Sequence, residues 1–377
     1  MSSTTPLTDP GLAASGSADS DLSASDVAAS AATAASAAPA VVQDTAPGKS
    51  AAYDTVLRAI RTHTQADNPS AFLAMSRDTS AFTAPGLDGV IAYRRAGRYL
   101  VQLGGPFAAP DAYRPLLEKF VAHAHGQGLS VVGAQLQRHD ALAYAERGFT
   151  VNQFGSSWVV HLPGFTLRGS RFMRMRNKIS RAFRSGLKVS EVAAHDVSAA
   201  IDEIDTAWLG AKGEQARPLT FLVGELGGPA QQHRRLFVGT IDSRPVGYIS
   251  YSPVYGSRAG WMHDLSRRIP DGTPGLMEAI NSHVIEVLRA EGTQWLHFGF
   301  TPFTGLDAAR ELPGHSPSFQ WLMHFLWEQG AALYPAQTQL AYKEKWAPQE
   351  PITEYVAFDG PASLTAFAHI FRACNAF

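Results

Sequence analysis

Cysteine is almost missing from this chain: Cys374 stands alone among 377 residues. An internal disulfide is therefore excluded, and nothing resembles the Cys/His spacing of a zinc site. A reducing cytosol is the compartment that fits. A dominant charge sign is missing as well. The formal net charge is −1, so any attraction to nucleic acid or anionic lipid must be local. No apolar run approaches the roughly 18 residues that a membrane-crossing helix needs. The N-terminus lacks the basic and Leu-rich parts of a secretory signal. A soluble, unexported protein is expected. Also absent are a nucleophile elbow, a Walker loop, an HExxH motif and a paired-carboxylate signature.

What is present is a chain of globular composition, 45% apolar, long enough for two domains. Residues 1–50 are Ala/Ser-rich and contain no aromatic residue. Such a segment cannot bury enough surface to offset chain entropy, which predicts a disordered tail. From Ala51 the texture changes. Residues 51–167 read as helix ("YDTVLRAIRTH"), hairpin ("GVIAYRRAGRYLVQLGGPF"), helix, strand, helix, strand. Residues 168–377 repeat much of that order. A basic helix and the helix "DVSAAIDEIDTAWLGAKG" precede three antiparallel strands, "RRLFVGTID", "RPVGYISYSPV" and "RAGWMHDL". A Gly/Pro loop then opens "PGLMEAINSHVIEVLRAEG", whose Leu276, Ile280, Val284, Val287 and Leu288 share one face. "QLAYKEKW" and "EYVAF" read as late strands, with Lys343 and Lys345 on one face and Glu344 opposite. The expected class is α/β, with two tandem units of the GNAT acyltransferase type and mixed sheets.

The segment Arg168–Lys188 carries eight cations and no acid. Wound as a helix, it puts Phe172, Met175, Ile179 and Phe183 on one stripe and Arg171, Arg174, Lys178 and Arg181 opposite, with Arg176 beside the stripe. A solvated face is the plain reading. A single sign sustained over several turns points instead to an anionic partner, either a phosphate backbone or a membrane surface.

In "AGWMHDL", alternation predicts Asp264 on one face with Met262 and Ser266. A lone carboxylate there needs a partner, and Arg267 or Arg268 is the expected one. A strand-end salt bridge would have the same appearance. Thr273 is the expected N-cap of the next helix, with Pro274 in its first turn. The loop "RRIPDGTPG" lacks the pyrophosphate-cradling pattern of acetyl-CoA enzymes, and Asp271 would repel a pyrophosphate. His263, His283, His297 and His324 read as core residues.

Taken in order, "SRFMRMRNKISRAFRSG", "DTAWLGAKG", "DLSRRIPDGTPGLMEAI", "FGFTPFTGL" and "LAYKEKWAPQEPITEYVA" resemble the catalytic domain of the aminoacyl-phosphatidylglycerol synthases. This is the lysyl-phosphatidylglycerol synthetase or multiple peptide resistance factor family. The blocks cover about residues 170–357, and "YLVQLGGPFAAPDAYRPLLEKF" extends the likeness into the first unit. The resemblance implies transfer of an aminoacyl group from aminoacyl-tRNA to a hydroxyl of an anionic phospholipid, without a cofactor. It implies Asp264, Arg267 and Lys343 as catalytic residues and Arg268, Lys345, Lys212 and Arg176 as substrate-binding. Arg171, Arg174, Lys178 and Arg181 would meet the tRNA. Ser266 stands where the family has methionine, and Gly104–Gly105–Pro106 where it has Gly-Asp-Pro. Lipid-modifying members usually carry an integral membrane domain, and soluble relatives use other acceptors. Phosphatidylglycerol or a soluble hydroxyl compound is thus the expected acceptor, in the cytoplasm or at the inner face of the membrane. The rival readings are an acyl-CoA N-acyltransferase on the same fold and a non-catalytic module that binds RNA or membrane surfaces.

Overall fold

Strands dominate the middle of the molecule because the apolar runs are short, β-branched and bounded by glycine turns. A computed structural model describes residues 50–64, 68–213, 217–270, 272–332, 334–349 and 351–376. The expected disordered tail, up to residue 49, lies outside the described residues, as does Asp271.

The described strands are β1 (Ser80–Phe82), β2 (Gly89–Ala96), β3 (Tyr99–Ala108), β4 (Ser130–Leu136), β5 (Thr150–His161), β6 (Lys188–Val192), β7 (Arg235–Ile241), β8 (Arg244–Val254), β9 (Gly260–Arg268), β10 (Trp295–Pro302) and β11 (Ile352–Phe358). They form one mixed sheet in the order β1-β2-β3-β4-β11-β5-β10-β9-β8-β7-β6. Each half has an antiparallel meander and one parallel crossover. Helix α2 (Pro110–Gly126) links β3 to β4 after α1 (Ser50–His63) has opened the fold. Helix α6 (Leu276–Ala290) links β9 to β10. The halves then exchange strands. β5, reached from β4 through α3 (Arg138–Glu146), pairs with β10, whereas β11 pairs with β4. β5 and β11 also pair with each other at the centre. β5 is buried along nearly its whole length for that reason.

Helices cover both faces. α2 and α3 pack on Ile91, Leu100 and Val131. The opposite side of the same strands, Ala92, Val101 and Val132, meets α1 and α9 (Leu364–Ala373). In the second half, α4 (Met173–Arg184) and α6 bury one sheet face, and α5 (Ser198–Gly210) covers Leu236, Val238 and Tyr248 on the other. α7 (Pro317–Gln329) and α8 (Ala336–Glu344) complete the chain of helices.

Three local expectations are corrected. "QLAYKEKW" is helical: α8 turns Ala336, Lys343 and the following Trp346 inward, a spacing of helical period. The N-cap of α6 is Gly275 (φ +85°), not Thr273. A side chain at Gly275 would strike the Lys178 carbonyl of α4, so this helix end is packed against the basic helix. In α4 the buried stripe is Met175, Ile179 and Ala182, while Phe183 is exposed.

Candidate active site

β9 bulges at Asp264. Its neighbour β8 pairs Ser250 with Leu265 and Tyr251 with His263, leaving Asp264 as the extra residue. Strict alternation therefore fails beyond it. Met262 packs into the large core cluster, and Leu265 packs with the α5 cluster on the same face. His263 turns to the other face, toward Asn281 of α6, and Ser266, expected beside Asp264, pairs with Ile249 on that face. The bulge brings Asp264 and Arg267 to one side of a strand on which three-residue spacing would separate them.

The partner of Asp264 is neither Arg267 nor Arg268. It is Arg234, just before β7, with Nε 3.6 Å from Oδ2. Both side chains are enclosed, at 0% and 1% exposure. Arg234 also stands 3.8 Å from Glu225 and over the Phe72 ring, 5.2 Å from its centroid. Gly224 lies against Asp264 so closely that a Cβ there would be 2.3 Å from Oδ1. Burial pushes the Asp264 carboxyl up to about 6, with Arg234 opposing the rise. Sequence reasoning missed Arg234, although a signal existed. Continuing the alternation of Leu236 and Val238 backwards puts Arg234 on their buried face, where an arginine requires an acid.

Arg267 has its own acid. Nη1 is 2.5 Å from Asp205 of α5, and the Tyr248 hydroxyl donates to the same carboxylate at 2.5 Å. The Arg267 guanidinium lies over Trp208 at 5.0 Å, and Lys212 approaches that ring at 4.5 Å. The structure thus joins Arg267 and Lys212 around one indole. Arg268 is exposed at the end of β9.

Lys343 sits elsewhere. From the last turn of α8 its ammonium donates to Gly299 O (2.8 Å), Phe300 O (3.1 Å) and Thr301 Oγ1 (2.6 Å), where β10 departs from regular register. Burial lowers it to about 7, with the Glu354 carboxylate opposing. Glu354 is raised to about 7 by the same burial and accepts a hydrogen bond from Ser157. The field of Lys343 reaches His263, which burial pushes down to about 4. Asp264, Arg267 and Lys343 therefore have separate partners and form no common hydrogen-bonded cluster among the described residues. Lys345 pairs with Glu278 at 3.0 Å, and Lys178 approaches the same carboxylate at 3.9 Å. Arg176 clamps the carbonyls of Leu167 (2.5 Å) and Gly169 (2.7 Å), which engages it in the fold. Arg174, Lys178 and Arg181 are exposed along α4, and Arg171 is exposed in the short turn that precedes it.

His297 is buried, His283 half-buried and His324 exposed, so the last departs from the core expectation. Among the described residues no three His, Cys, Asp or Glu side chains gather as a metal would require. Two open hollows of about 430 and 420 Å³ lie apart from these groups, one beside Pro163 and Glu286, the other beside Arg94 and Arg372.

With this geometry in view, residues 58–358 match the family described as phosphatidylglycerol lysyltransferase, C-terminal. The chain belongs to that family.

Among its relatives, the lysylphosphatidylglycerol biosynthesis bifunctional protein LysX of Mycolicibacterium vanbaalenii is 26% identical over 290 residues, covering 74% of this chain and 26% of the relative. The phosphatidylglycerol lysyltransferase of Bacillus subtilis is 25% identical over 269 residues, covering 70% of this chain and 30% of the relative. The chain thus spans under a third of these relatives' lengths. Two solved structures share the fold. One is the C-terminal domain of a putative lysylphosphatidylglycerol synthetase from Agrobacterium fabrum, with TM-score 0.70, 20% identity and coverage of 86% of this chain and 96% of that one. The other is L-PGS from Bacillus licheniformis, with TM-score 0.69, 19% identity and coverage of 85% and 95%.

Proposed function

We propose that this chain is an aminoacyltransferase that moves an aminoacyl group from a charged tRNA to a hydroxyl of phosphatidylglycerol. The observation that carries the reading is the β9 bulge, which presents a buried Asp264 and Arg267 on one face of the sheet. Family membership supplies the reaction class.

An aminoacyl ester is already activated, so transfer requires placement, proton removal and charge stabilisation, with no nucleotide. The acceptor oxygen bonds to the aminoacyl carbonyl carbon, and its proton passes to Asp264. The ester bond to the tRNA ribose breaks, and the departing oxygen takes that proton back. A carboxyl near 6 is suited to a proton shuttle close to neutral pH. Arg267, with Lys212 across Trp208, offers positive charge for the developing oxyanion or for phosphate. In this scheme Lys343 positions β10 through its three hydrogen bonds.

The exposed Arg171, Arg174, Lys178 and Arg181 would contact tRNA phosphates. The acyl-CoA alternative is disfavoured because α4 packs against the Gly275 end of α6. A binding-only module leaves the enclosed Asp264 unaccounted for. We also read the two meander-plus-crossover halves as tandem GNAT-like units that have exchanged β5 and β11. The function is tested by incubating the protein with tRNA charged with labelled lysine, together with phosphatidylglycerol vesicles or a soluble polyol. Label entering the lipid supports the reading. Label entering only the polyol assigns a soluble acceptor, and label remaining on the tRNA refutes the transferase.

A further inference from the structure

Arg234 is an unusual buried arginine, and its neighbour in sequence shows why. Arg235 is a structural cation in every respect: its guanidinium makes four hydrogen bonds of 2.6–2.8 Å to Glu191 and Glu291. Arg234 is wholly enclosed, yet none of its three side-chain nitrogens reaches a hydrogen-bond partner among the described residues. Its acids stand at ion-pair range, 3.6 Å for Asp264 and 3.8 Å for Glu225. An arrangement selected for stability alone would close those gaps or replace the charges with apolar groups, because enclosed and unbonded ions are costly.

We infer that Arg234 is a positioning residue, whose fixed positive charge behind β9 keeps the Asp264 carboxylate anionic and aimed for the proposed proton transfer. This rests on the reading of Asp264 given above. A guanidinium retains its proton across the whole working range, so it can supply a constant field. The groups facing Asp264 divide by sign. Burial and Glu225 favour its neutral form, whereas Arg234 and the Ser252 hydroxyl favour the anion. Glu225 is itself held by the Arg77 backbone N–H at 3.0 Å and by the Arg77 side chain at 3.6 Å. His233, next to Arg234, is pushed down by burial and by Arg61 and Arg234, which favours its neutral form. Phe72, from the first half of the chain, fixes the plane on which the guanidinium rests. The N-terminal half thus reaches into the site of the second half through this arginine.

The test is the pH dependence of transfer for the wild type, R234Q, R234K, E225Q and D264N, with lysyl-tRNA and phosphatidylglycerol vesicles. R234Q should move the acid limb of kcat upward by about one pH unit or more. Its rate at pH 7 should fall about twofold for a one-unit move and about tenfold for a two-unit move, and recover as the pH rises, with KM for the lipid little changed. R234K should restore most of the wild-type profile. E225Q should move the limb the opposite way, and it decides the matter if R234Q does not fold. Limbs that stay in place in the folded variants overturn the role of Arg234. D264N distinguishes the two failures. If it is inactive while the limbs are fixed, only the Arg234 proposal falls. If it works at the wild-type rate, the reading of Asp264 falls.

Discussion

An ammonium enclosed within a sheet must be matched by an acid or surrender its proton, and Lys343 lies close to that balance, at about 7. The Glu354 carboxylate acts on it through its charge, and that coupling predicts non-additivity. K343M removes three hydrogen bonds and the countercharge near Glu354, so it should lower the midpoint of thermal unfolding, whereas K343M/E354Q should regain part of that loss. Equal losses in the single and double variants would show that the two groups are not coupled. Asp264 predicts the opposite relation to stability. Burial raises its carboxyl from 3.8 to about 6, so the folded state binds this proton more tightly than the unfolded chain. The sign follows: this contribution is favourable below about 4 and is lost as pH rises through 6. D264N should therefore be more stable than the wild type at pH 7.5, by up to about 3 kcal/mol, with the gap closing toward pH 4. A gap that does not depend on pH would contradict the shift. Sacrificed stability of this kind is the usual mark of a working residue.

Among the elements, α6 is legible in the sequence because Leu276, Ile280, Val284 and Leu288 recur at helical period with no polar interruption. α8 is not. Its inward stripe contains a lysine, which breaks the apolar pattern and leaves Leu340 and Tyr342 to imitate a strand. The bulge in β9 is equally hidden, since "WMHDLSRR" alternates acceptably until a neighbouring strand sets the register. Asp264 is legible as a buried acid needing a cation, but its true partner lies just before a different strand, β7. The basic helix shows its charged face plainly in the sequence, whereas the exposure of Phe183 depends on where α4 leaves the sheet. Its prediction belongs to this scale. Replacing Arg174, Lys178 and Arg181 by glutamine should weaken tRNA binding and lower the salt slope by about one for each phosphate no longer neutralised, as read by filter binding across a salt series. An unchanged slope would make α4 an ordinary surface.

Across the whole molecule, the exchange of β5 and β11 has no local signature, because it pairs segments that lie far apart in the sequence. The order of elements suggests two successive units, whereas the sheet is continuous and the described residues form a single compact unit. Neither half holds its own last strand, so the halves should unfold together. Calorimetry should give one transition, with van't Hoff and calorimetric enthalpies agreeing; two separated transitions would mean that the exchange does not couple them. The same continuity allows Phe72 of the first half to support Arg234 and, through it, Asp264. The most direct measurement is therefore single-turnover transfer of labelled lysine from lysyl-tRNA to phosphatidylglycerol by the wild type and D264N, with tRNA binding followed in parallel. The account predicts a rate loss on the order of 10²–10⁴ with binding retained, and a near wild-type rate in D264N would contradict it.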